Sequence, residues 1–349
     1  MELTWRSYPL VLREPLRISR SSMAGRDAVQ VTVDHDGTSG HGELVTSTYQ
    51  RLDLTTAVTA LAGVAGRIAD YPDPETLLAD PSTPAGAVPP GVRAALDAAV
   101  HDLVARRAGV PVHRLLGLPD GTPVGTAYTL GLVPPDAAAA TARRLVAAGF
   151  TTLKVKAGDA DDLDRVAAVR AAAPRARLLL DPNGGWSAEQ TLRLLEAMTA
   201  HRVDAVEQPV PPGDPDRLAW IAARTPVPVV ADEDAATVSD VRRLAGAVAG
   251  VNIKLAKCGG ITAAREIIDV ATGYDMDVML GCLVTSSLGI APAVHLTGRA
   301  RWVDLDGHLL LADDPWTGLG GHDGTLRLAG TPGLGVTPTG AGDPAGAPR

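Results

Sequence analysis

Three carboxylates stand at the ends of three short apolar runs, and their spacing constrains the fold of this 349-residue chain more than any other feature. Asp181, Glu207 and Asp232 lie 26 and 25 residues apart, a spacing that fits a strand followed by a helix and their connections. Lysines continue the rhythm, because Lys156 precedes Asp181 by 25 residues and Lys254 follows Asp232 by 22. This order predicts a metal-assisted catalytic site built on a β/α repeat.

Composition limits the class of protein. The chain is 46% hydrophobic and carries a net charge of −8, without basic clusters. We therefore expect a globular protein that acts on a small molecule, with neither nucleic acid nor a membrane as partner. Cys258 and Cys282 are too few for a disulfide framework and are expected to be buried apolar side chains. No signal-peptide pattern is seen, so a cytoplasmic location is expected, and a homo-oligomer is expected as well.

Two sequence patterns divide the chain. Residues 1–46 alternate apolar and polar positions and predict an antiparallel meander with a turn at Asp36-Gly37, whereas residues 51–117 read as helices. We assign 1–120 to an α+β capping domain.

From residue 123, short apolar runs alternate with helical segments, which predicts a closed parallel barrel over 121–315. The eight predicted strands are 124–130, 152–155, 178–181, 205–207, 227–231, 251–255, 278–280 and 302–304. A capping box at Ser187 and Gln190 predicts a helix start. Residues 316–349 are assigned to a segment that returns to the capping domain, with disorder expected from about Thr339.

Residues at the C-terminal ends of barrel strands converge at one mouth. Three carboxylates there, with no neighbouring Cys or His, suit a hard divalent cation, Mg²⁺ before Mn²⁺.

The lysines are expected to face the same mouth. Lys154 and Lys156 are two apart on a predicted strand and therefore point the same way, inward. Two neighbouring buried ammonium groups are expected to lower each other's pKa and so provide a base near neutral pH. Lys254 is predicted to point inward from the opposite wall, and Lys257, three positions on, is expected to point elsewhere.

The last predicted strand ends with two acids on one face, Asp304 and Asp306. Because the metal already has three ligands, we interpret this pair as a clamp for a cationic substrate group such as an ammonium. The alternative is that they are structural ion-pair partners of Arg299 or Arg301.

Taken together, these motifs resemble the enolase superfamily, muconate-lactonizing enzyme subgroup, over nearly the whole chain. The motifs are Lys154-Val155-Lys156, Asp-Pro-Asn-Gly-Gly-Trp at 181–186, Glu-Gln-Pro at 207–209, Ala-Asp-Glu at 231–233 and Asn-Ile-Lys-Leu-Ala-Lys-Cys-Gly-Gly at 252–260. The resemblance implies a modified TIM barrel, (β/α)₇β, with Mg²⁺ held by Asp181, Glu207 and Asp232. It also implies abstraction of a proton α to a carboxylate to give a metal-stabilised enediolate, with Lys156 and Lys254 on opposite faces and Lys154 assisting.

Within this subgroup, Asp304-Leu305-Asp306 is similar to the Asp-x-Asp motif of dipeptide epimerases, of which L-Ala-D/L-Glu epimerases are the best known. The segment 281–290 is also similar to theirs, and Arg20 and Thr285 join the substrate-binding residues by the same resemblance. Two departures from the family pattern bear on which substrate side chain is preferred. Many members have Glu where Thr285 stands, and Met23 stands where a second Arg is frequent.

The resemblance implies a dipeptide epimerase that inverts the α-carbon of the C-terminal residue by two-base proton transfer. One alternative is another reaction of the superfamily, namely N-succinylamino acid racemisation, o-succinylbenzoate synthesis or muconate cycloisomerisation. A third reading is a barrel that binds a ligand without catalysis.

Overall fold

The N-terminal part of the chain folds as a sheet covered by helices. The structure is a computed structural model that describes residues 1–80, 88–119 and 123–340. The first elements are β1 (Glu2–Ile18), β2 (Ser21–His35), β3 (Thr38–Val45), α1 (Leu54–Ala69), α2 (Pro74–Ala79), α3 (Pro90–Arg107) and α4 (Val112–Leu115). Strands β1, β2 and β3 form an antiparallel sheet in that order. Asp36 and Gly37 have φ values of 49° and 74° and make the tight turn that the Asp-Gly pair predicts.

The alternation in β2 produces the core of this domain. Val29, Val31 and Val33 are fully buried on one face of the sheet and belong to the same cluster as Leu61 of α1 and Leu103 of α3. Burying a side chain of this size contributes about 1.5–3 kcal/mol, so the period of two in the sequence is sufficient to fix which face is covered. The predicted capping architecture is confirmed.

A parallel barrel follows. After the short strand β4 (Val124–Gly125), its strands are β5 (Ala127–Leu130), β6 (Thr152–Lys156), β7 (Arg177–Asp181), β8 (Val203–Glu207), β9 (Val229–Ala231), β10 (Gly250–Ile253), β11 (Asp277–Gly281) and β12 (Trp302–Asp304). They are hydrogen-bonded in chain order from β5 to β12. The predicted (β/α)₇β barrel is confirmed, with every predicted strand position occupied.

Helices cover the outside of the barrel between successive strands. They are α5 (Pro135–Ala148), α6 (Asp162–Ala172), α7 (Ala188–Ala197), α8 (Pro215–Ala222), α9 (Val238–Leu244), α10 (Leu255–Cys258), α11 (Ile261–Gly273) and α12 (Ser287–Val294), with 3₁₀ turns at Thr199–His201, Thr297–Arg299 and Gly307–Leu310. Helix α7 begins with the predicted capping box of Ser187 and Gln190. None of the helices described here has both the length and the apolar character needed to span a bilayer.

An apolar layer inside the barrel sets the position of the acids above it. This layer consists of Ala127, Leu179, Ala205, Val230, Met279 and Trp302. Because strand side chains alternate, the residue two positions later also points inward, one layer nearer the C-terminal mouth. In β7 this places Asp181 above Leu179, and in β8 it places Glu207 above Ala205. Strands β9 and β12 repeat the pattern.

The C-terminal segment contacts both parts of the molecule. It contains β13 (Trp316–Thr317), β14 (Thr325–Leu326) and β15 (Thr337–Pro338), of which β14 pairs with β4. Leu334 N donates to Asp102 Oδ1 of α3 at 2.7 Å, and Thr339 N donates to Pro315 O at 3.0 Å. The predicted boundary at residue 120 lies outside the described residues, as do residues 341–349, most of the segment for which disorder is predicted from about Thr339. The domain limits therefore stay predictions.

Candidate active site

One wall of the barrel mouth brings two lysines together with two of the predicted metal ligands. Lys156 Nζ lies 2.5 Å from Asp181 Oδ2, and Lys154 Nζ lies 3.0 Å from the same oxygen. Lys154 Nζ also lies 2.6 Å from Glu207 Oε2. All four side chains are buried, as their inward phase on β6, β7 and β8 requires. The predicted direction of Lys154 and Lys156 is therefore confirmed.

The opposite wall is formed by the end of β10. In an eight-stranded barrel β6 and β10 are four strands apart and face each other. Lys254, which follows β10, has its Nζ 2.7 Å from Asp232 Oδ2 and 3.8 Å from Glu207 Oε1. The two oxygens of Glu207 thus face Lys154 on one wall and Lys254 on the other.

Lys257 does not point elsewhere, and that expectation is wrong. Its Nζ lies 2.5 Å from Asp232 Oδ1 and also donates to Asn252 O at 3.1 Å. The strand ends at Ile253, one residue before Lys254, and the chain continues as the short helix α10. Lys254 is the N-cap of this helix, and the turn that closes with the hydrogen bond from Lys257 N to Lys254 O at 2.8 Å brings Lys257 back to the same carboxylate. All four lysines of the chain therefore lie in this site.

The protonation of the lysines also differs from the expectation. Burial lowers the pKa of Lys154, but the charges of Asp181, Asp304 and Glu207 outweigh it and hold that pKa well above its usual value. The pKa of Lys254 is raised in the same way, against burial, by Asp232 and Glu207. The expected mutual lowering of pKa fails at Lys154 because three carboxylate oxygens lie within 3.0 Å of its Nζ.

The three carboxylates have the chemistry of a site for a hard cation. Burial raises the pKa of Glu207 to about 7, and the nearby charge of Asp181 adds to this rise. Carboxylates that oppose one another's ionisation in a buried space are stabilised by a divalent cation, and oxygen donors suit Mg²⁺. Within the described ranges, no three His, Cys, Asp or Glu side chains already stand in a metal-binding arrangement, since the oxygens are turned toward lysines. The donor set fits Mg²⁺.

Amides that the sequence reading passed over hold these acids in place. Asn252 Nδ2 donates to Glu207 Oε1 at 2.7 Å, and Gln208 Oε1 accepts from Asp232 N at 3.0 Å. Asn183 and Gln208 have φ values of 49° and 37°, a region that non-glycine residues rarely adopt. Asn252 could have been found, since it lies two residues before Lys254 and shares its inward phase.

Asp304 and Asp306 lie beside the lysines, at the seam where β12 meets β5. Asp304 Oδ2 accepts from Lys154 Nζ at 2.7 Å, and Asp306 Oδ2 accepts from Thr129 N at 2.6 Å. Burial raises the pKa of Asp306 to about 6, with a further contribution from the charge of Asp304. Asp304 Oδ1 is buried without a hydrogen-bond partner.

The alternative role for this acid pair is wrong. Arg299 pairs with Asp269 at 2.9 Å and Arg301 pairs with Asp277 at 2.5 Å, both at the protein surface. Neither arginine is an ion-pair partner of Asp304 or Asp306.

The capping domain closes the site from above. Arg20, at the tip of the β1–β2 hairpin, lies 2.6 Å from Glu233 Oε1 and donates to Asn183 O at 3.1 Å. Its neighbour Ser19 rests on Gly158, where an added Cβ would lie 2.7 Å from the Ser19 Cβ. A cavity of about 750 Å³ lies between this hairpin, residues 46–54 and the barrel mouth, and it reaches Asp232, Lys254 and Lys257.

Comparison with known proteins agrees with this architecture. Residues 1–117 match the family described as mandelate racemase / muconate lactonizing enzyme, N-terminal domain, and residues 137–341 match the enolase C-terminal domain-like family. This chain belongs to the enolase superfamily. The predicted membership, with its mandelate racemase and muconate lactonizing enzyme type of capping domain and barrel, is confirmed.

Its relatives in the superfamily include proteins that carry epimerase names. A hydrophobic dipeptide epimerase from Roseobacter litoralis is 33% identical over 96% of this chain and 98% of its own length. An L-Ala-D/L-Glu epimerase from Bacteroides thetaiotaomicron is 31% identical over 96% of this chain and 88% of its own length. Among solved structures, a dipeptide epimerase from Enterococcus faecalis complexed with Mg and L-Leu-L-Tyr superimposes with a TM-score of 0.91 at 28% identity, covering 96% of this chain and 99% of that one.

In this member of the enolase superfamily, Thr285 lies away from the large cavity. Its hydroxyl donates to Glu43 of β3, which also accepts from Ser286 N at 2.8 Å and from the hydroxyl of Tyr8. Thr285 lines a second cavity of about 50 Å³ together with Lys254. Contact of Thr285 with substrate stays a prediction, and what the structure adds is its attachment to the capping domain through Glu43.

Mg²⁺ binding can be tested without an activity assay. The chain has four lysines, and because all of them lie in the site, their NMR signals report on it. We expect Mg²⁺ to shift the NMR signals of ¹³Cε-labelled Lys154, Lys156, Lys254 and Lys257, since the cation competes with ammonium groups for the same oxygens. KCl at matched ionic strength is the control for screening. Signals that do not move at saturating Mg²⁺ would contradict the assignment of Asp181, Glu207 and Asp232 as ligands.

Proposed function

We propose that this protein is a Mg²⁺-dependent dipeptide epimerase that inverts the α-carbon of the C-terminal residue. One observation carries the proposal: lysines on opposite barrel walls face a single set of buried carboxylates, and a further buried acid pair lies at their side. The dipeptide epimerases among its relatives support the substrate class. For the same reasons, we assign the protein to the isomerases that act on amino acid derivatives.

The two walls supply the two bases. Lys156 takes the α-proton from one face of the substrate, and the charge left on carbon spreads into the adjacent carboxylate. Lys254 then delivers a proton to the opposite face, which inverts the centre, and the reverse direction uses the same groups with exchanged roles. Lys154 remains cationic, because its carboxylate neighbours favour the ammonium, and it stabilises the negative charge that develops nearby.

Asp181, Glu207 and Asp232 would hold the metal. Bound there, Mg²⁺ would supply positive charge beside the substrate carboxylate, which would make the α-proton more acidic. Mn²⁺ has similar ligand preferences and would be accepted at the same oxygens.

Asp304 and Asp306 would bind the α-ammonium of the dipeptide. Asp304 is paired with Lys154 through Oδ2, but its Oδ1 is a buried oxygen without a hydrogen-bond partner, and a buried acceptor left without one is costly. A bound ammonium relieves that cost, whereas an N-acyl or dicarboxylate substrate does not. This acid pair is the observation that favours a dipeptide over the substrates of the other superfamily reactions.

The lysines also speak against a barrel without catalysis, since a scaffold has no need to bury Lys154, Lys156 and Lys254 among carboxylates at one mouth. We propose a cytoplasmic location on separate grounds. Both cysteines are free thiols, as expected in a reducing compartment.

The proposal is tested by incubating the Mg²⁺-loaded protein in D₂O with a library of L,L-dipeptides. We expect deuterium at the α-carbon of the C-terminal residue, detected by mass spectrometry, and the L,D product by chiral chromatography. A parallel pool of N-succinylamino acids is the matched comparison. Exchange confined to that pool would favour a racemase of N-acylated substrates, and exchange in neither pool would contradict catalysis of this kind.

A further inference from the structure

We propose that Glu43 of the capping domain is a positioning residue for the acid pair, because it holds the loop against which the chain at Asp306 is packed. That loop comprises residues 282–286, between β11 and α12. The inference rests on the proposed function, in which Asp304 and Asp306 bind the ammonium of the substrate. It extends that function to a residue of the capping domain, outside the barrel.

Glu43 is a buried carboxylate, 8% exposed, that is held mainly by this loop. Its Oε1 accepts from Ser286 N at 2.8 Å and from the hydroxyl of Thr285. Its Oε2 accepts from Ser286 Oγ at 2.6 Å and from the hydroxyl of Tyr8. Three of these four donors belong to the β11–α12 loop. A buried carboxylate is costly without its donors, so the loop cannot move away from Glu43 without a large loss of stability.

The start of helix α12 is fixed by the same contacts. Ser286 is the N-cap of α12, since its Oγ accepts from Leu288 N at 3.2 Å. Glu43 therefore lies at the N-terminus of this helix, where the helix dipole favours an anion. Gly289 leaves the space for it, because a Cβ added there would collide with Thr285 Oγ1 and lie 2.9 Å from Glu43 Oε1. Strand β3 of the capping domain thus sets the position of the loop and of the helix that follows it.

The loop packs on the chain that carries the acid pair. Gly307 directly follows Asp306, and a Cβ added to Gly307 would collide with Leu283 O and lie 3.2 Å from Thr285 N. The two backbones are therefore in direct contact, with no room for a side chain between them. Cys282 Sγ also lies 4.0 Å from Asp306 Oδ1. A shift of the loop therefore shifts Asp306 as well.

Asp306 has one other anchor, in the barrel. Its Oδ2 accepts from Thr129 N of β5 at 2.6 Å, whereas its Oδ1 faces Cys282 of the loop. Without Glu43 we expect the carboxylate to turn about this single anchor, so that ammonium binding weakens. Lys156 lies on β6, away from the loop, and should keep its place.

The test measures kcat/KM for one dipeptide in its free and its N-acetylated form, since only the free form presents an ammonium. In Glu43→Ala the preference for the free form should fall by about tenfold, because a displacement of about 1 Å is sufficient for a loss of this size. The fall should come from a higher KM for the free form, with the acetylated form little changed. A loss of folded enzyme would lower turnover of both forms equally and leave the preference as it was.

Asp97→Ala is the matched control. Asp97 is likewise an acid of the capping domain at the start of a barrel helix, because its Oδ2 accepts from Ile261 N of α11 at 2.6 Å. The preference for the free form should stay at the wild-type value in this variant, even where the protein is less stable.

Two milder substitutions keep the test open if Glu43→Ala does not fold. Glu43→Gln keeps an oxygen that can accept from Ser286 N, so it should keep most of the preference for the free form. Tyr8→Phe removes one donor to Glu43 and should lower the preference by about threefold.

A double variant shows whether Glu43 acts through Asp306. If it does, Glu43→Ala/Asp306→Asn should have the same kcat/KM for the free dipeptide as Asp306→Asn alone, within about twofold. Losses that multiply in the double variant would overturn the inference, because Glu43 would then act independently of Asp306.

Amide hydrogen exchange followed by mass spectrometry tests the coupling without any substrate. In Glu43→Ala, peptides from 282–290 and peptides from 304–310 should both exchange at least about tenfold faster, since both lose the same support. Asp97→Ala should accelerate neither. Faster exchange in 282–290 with 304–310 unchanged would overturn the inference, because the loop would then not hold the segment of Asp306.

The outcomes separate the inference from the function on which it rests. No α-hydrogen exchange with any dipeptide in the wild type defeats the proposed function, and amide exchange then decides alone whether Glu43 holds the segment of Asp306. With an active wild type, equal losses on both substrate forms in Glu43→Ala overturn the inference and leave the function in place. A Glu43→Gln variant as impaired as Glu43→Ala also overturns it, because hydrogen bonding would then not be what positions the loop.

Discussion

Replacing Lys156 or Lys254 by alanine should lower kcat/KM for epimerisation by about 10²–10⁴-fold, the usual contribution of a positioned general base or acid. Each lysine handles the proton on one face, so neither can replace the other. We expect Lys156→Ala and Lys254→Ala to retain α-hydrogen exchange with solvent for only one diastereomer each, L,L for one variant and L,D for the other. Separate exchange measurements on the two purified diastereomers in D₂O check this directly.

Arginine provides the matched control for this prediction. Lys156→Arg and Lys254→Arg keep a positive charge beside Asp181 and Asp232, but a guanidinium does not lose its proton at accessible pH. If the lysines act as bases, the arginine variants should be as inactive as the alanine variants while staying better folded, because the buried acids keep a counter-charge. Full activity in any of the four variants would refute the two-base assignment.

The sequence predicts the barrel and its mouth for a physical reason. Inward residues of a strand recur every second position, so Asp181 two residues after Leu179, and Glu207 two after Ala205, are fixed in direction by the apolar residues that precede them. The spacing of the β/α units then places strand ends at one rim. Lys154, Lys156 and the three acids could be brought together on this basis alone, before any comparison with relatives.

The direction of the chain at the end of β10 could not be predicted from strand periodicity and spacing. Nothing in the run 251–255 indicates that the strand ends at Ile253, and reading it as one strand turns Lys257 away from the site. The change of period, from two in a strand to 3.6 in a helix, reverses that conclusion and adds a fourth lysine. The same limit applies to protonation, because the pKa of Lys154 is set by how close Asp304 and Glu207 lie, which spacing does not give.

The contacts between the capping domain and the barrel also could not be predicted from the sequence. Glu43 and Ser286 are 243 residues apart, and Arg20 and Glu233 are separated by most of the barrel. The sequence gives one indication for Glu43. It is an acid that precedes the apolar residues Leu44 and Val45 in a buried strand, which indicates that it has a buried partner but not which residue that partner is. These contacts, and not the barrel motifs, fasten the capping domain to the barrel mouth.

The acid pair at the end of β12 yields the second large effect. Asp306→Asn should lower kcat/KM for dipeptides by about a hundredfold, since truncating one charge of a buried pair with a ligand typically costs 2–5 kcal/mol. Asparagine keeps a side-chain oxygen that can accept from Thr129 N, so the β5–β12 seam should survive while the charge is lost. Asp304→Asn is the less clean variant, because it also removes a partner of Lys154.

The substrate provides the control that separates ammonium binding from a general defect. N-acetylation of the same dipeptide removes the ammonium, so the wild type should lose about as much kcat/KM on the acetylated form as Asp306→Asn loses on the free form. Asp306→Asn should then discriminate little between the two forms, a double cycle in which protein and substrate each lose one charge. If Asp306→Asn instead kept full turnover on free dipeptides, the acid pair would not bind an ammonium, and the argument for a dipeptide over an N-acylated substrate would lose its structural support.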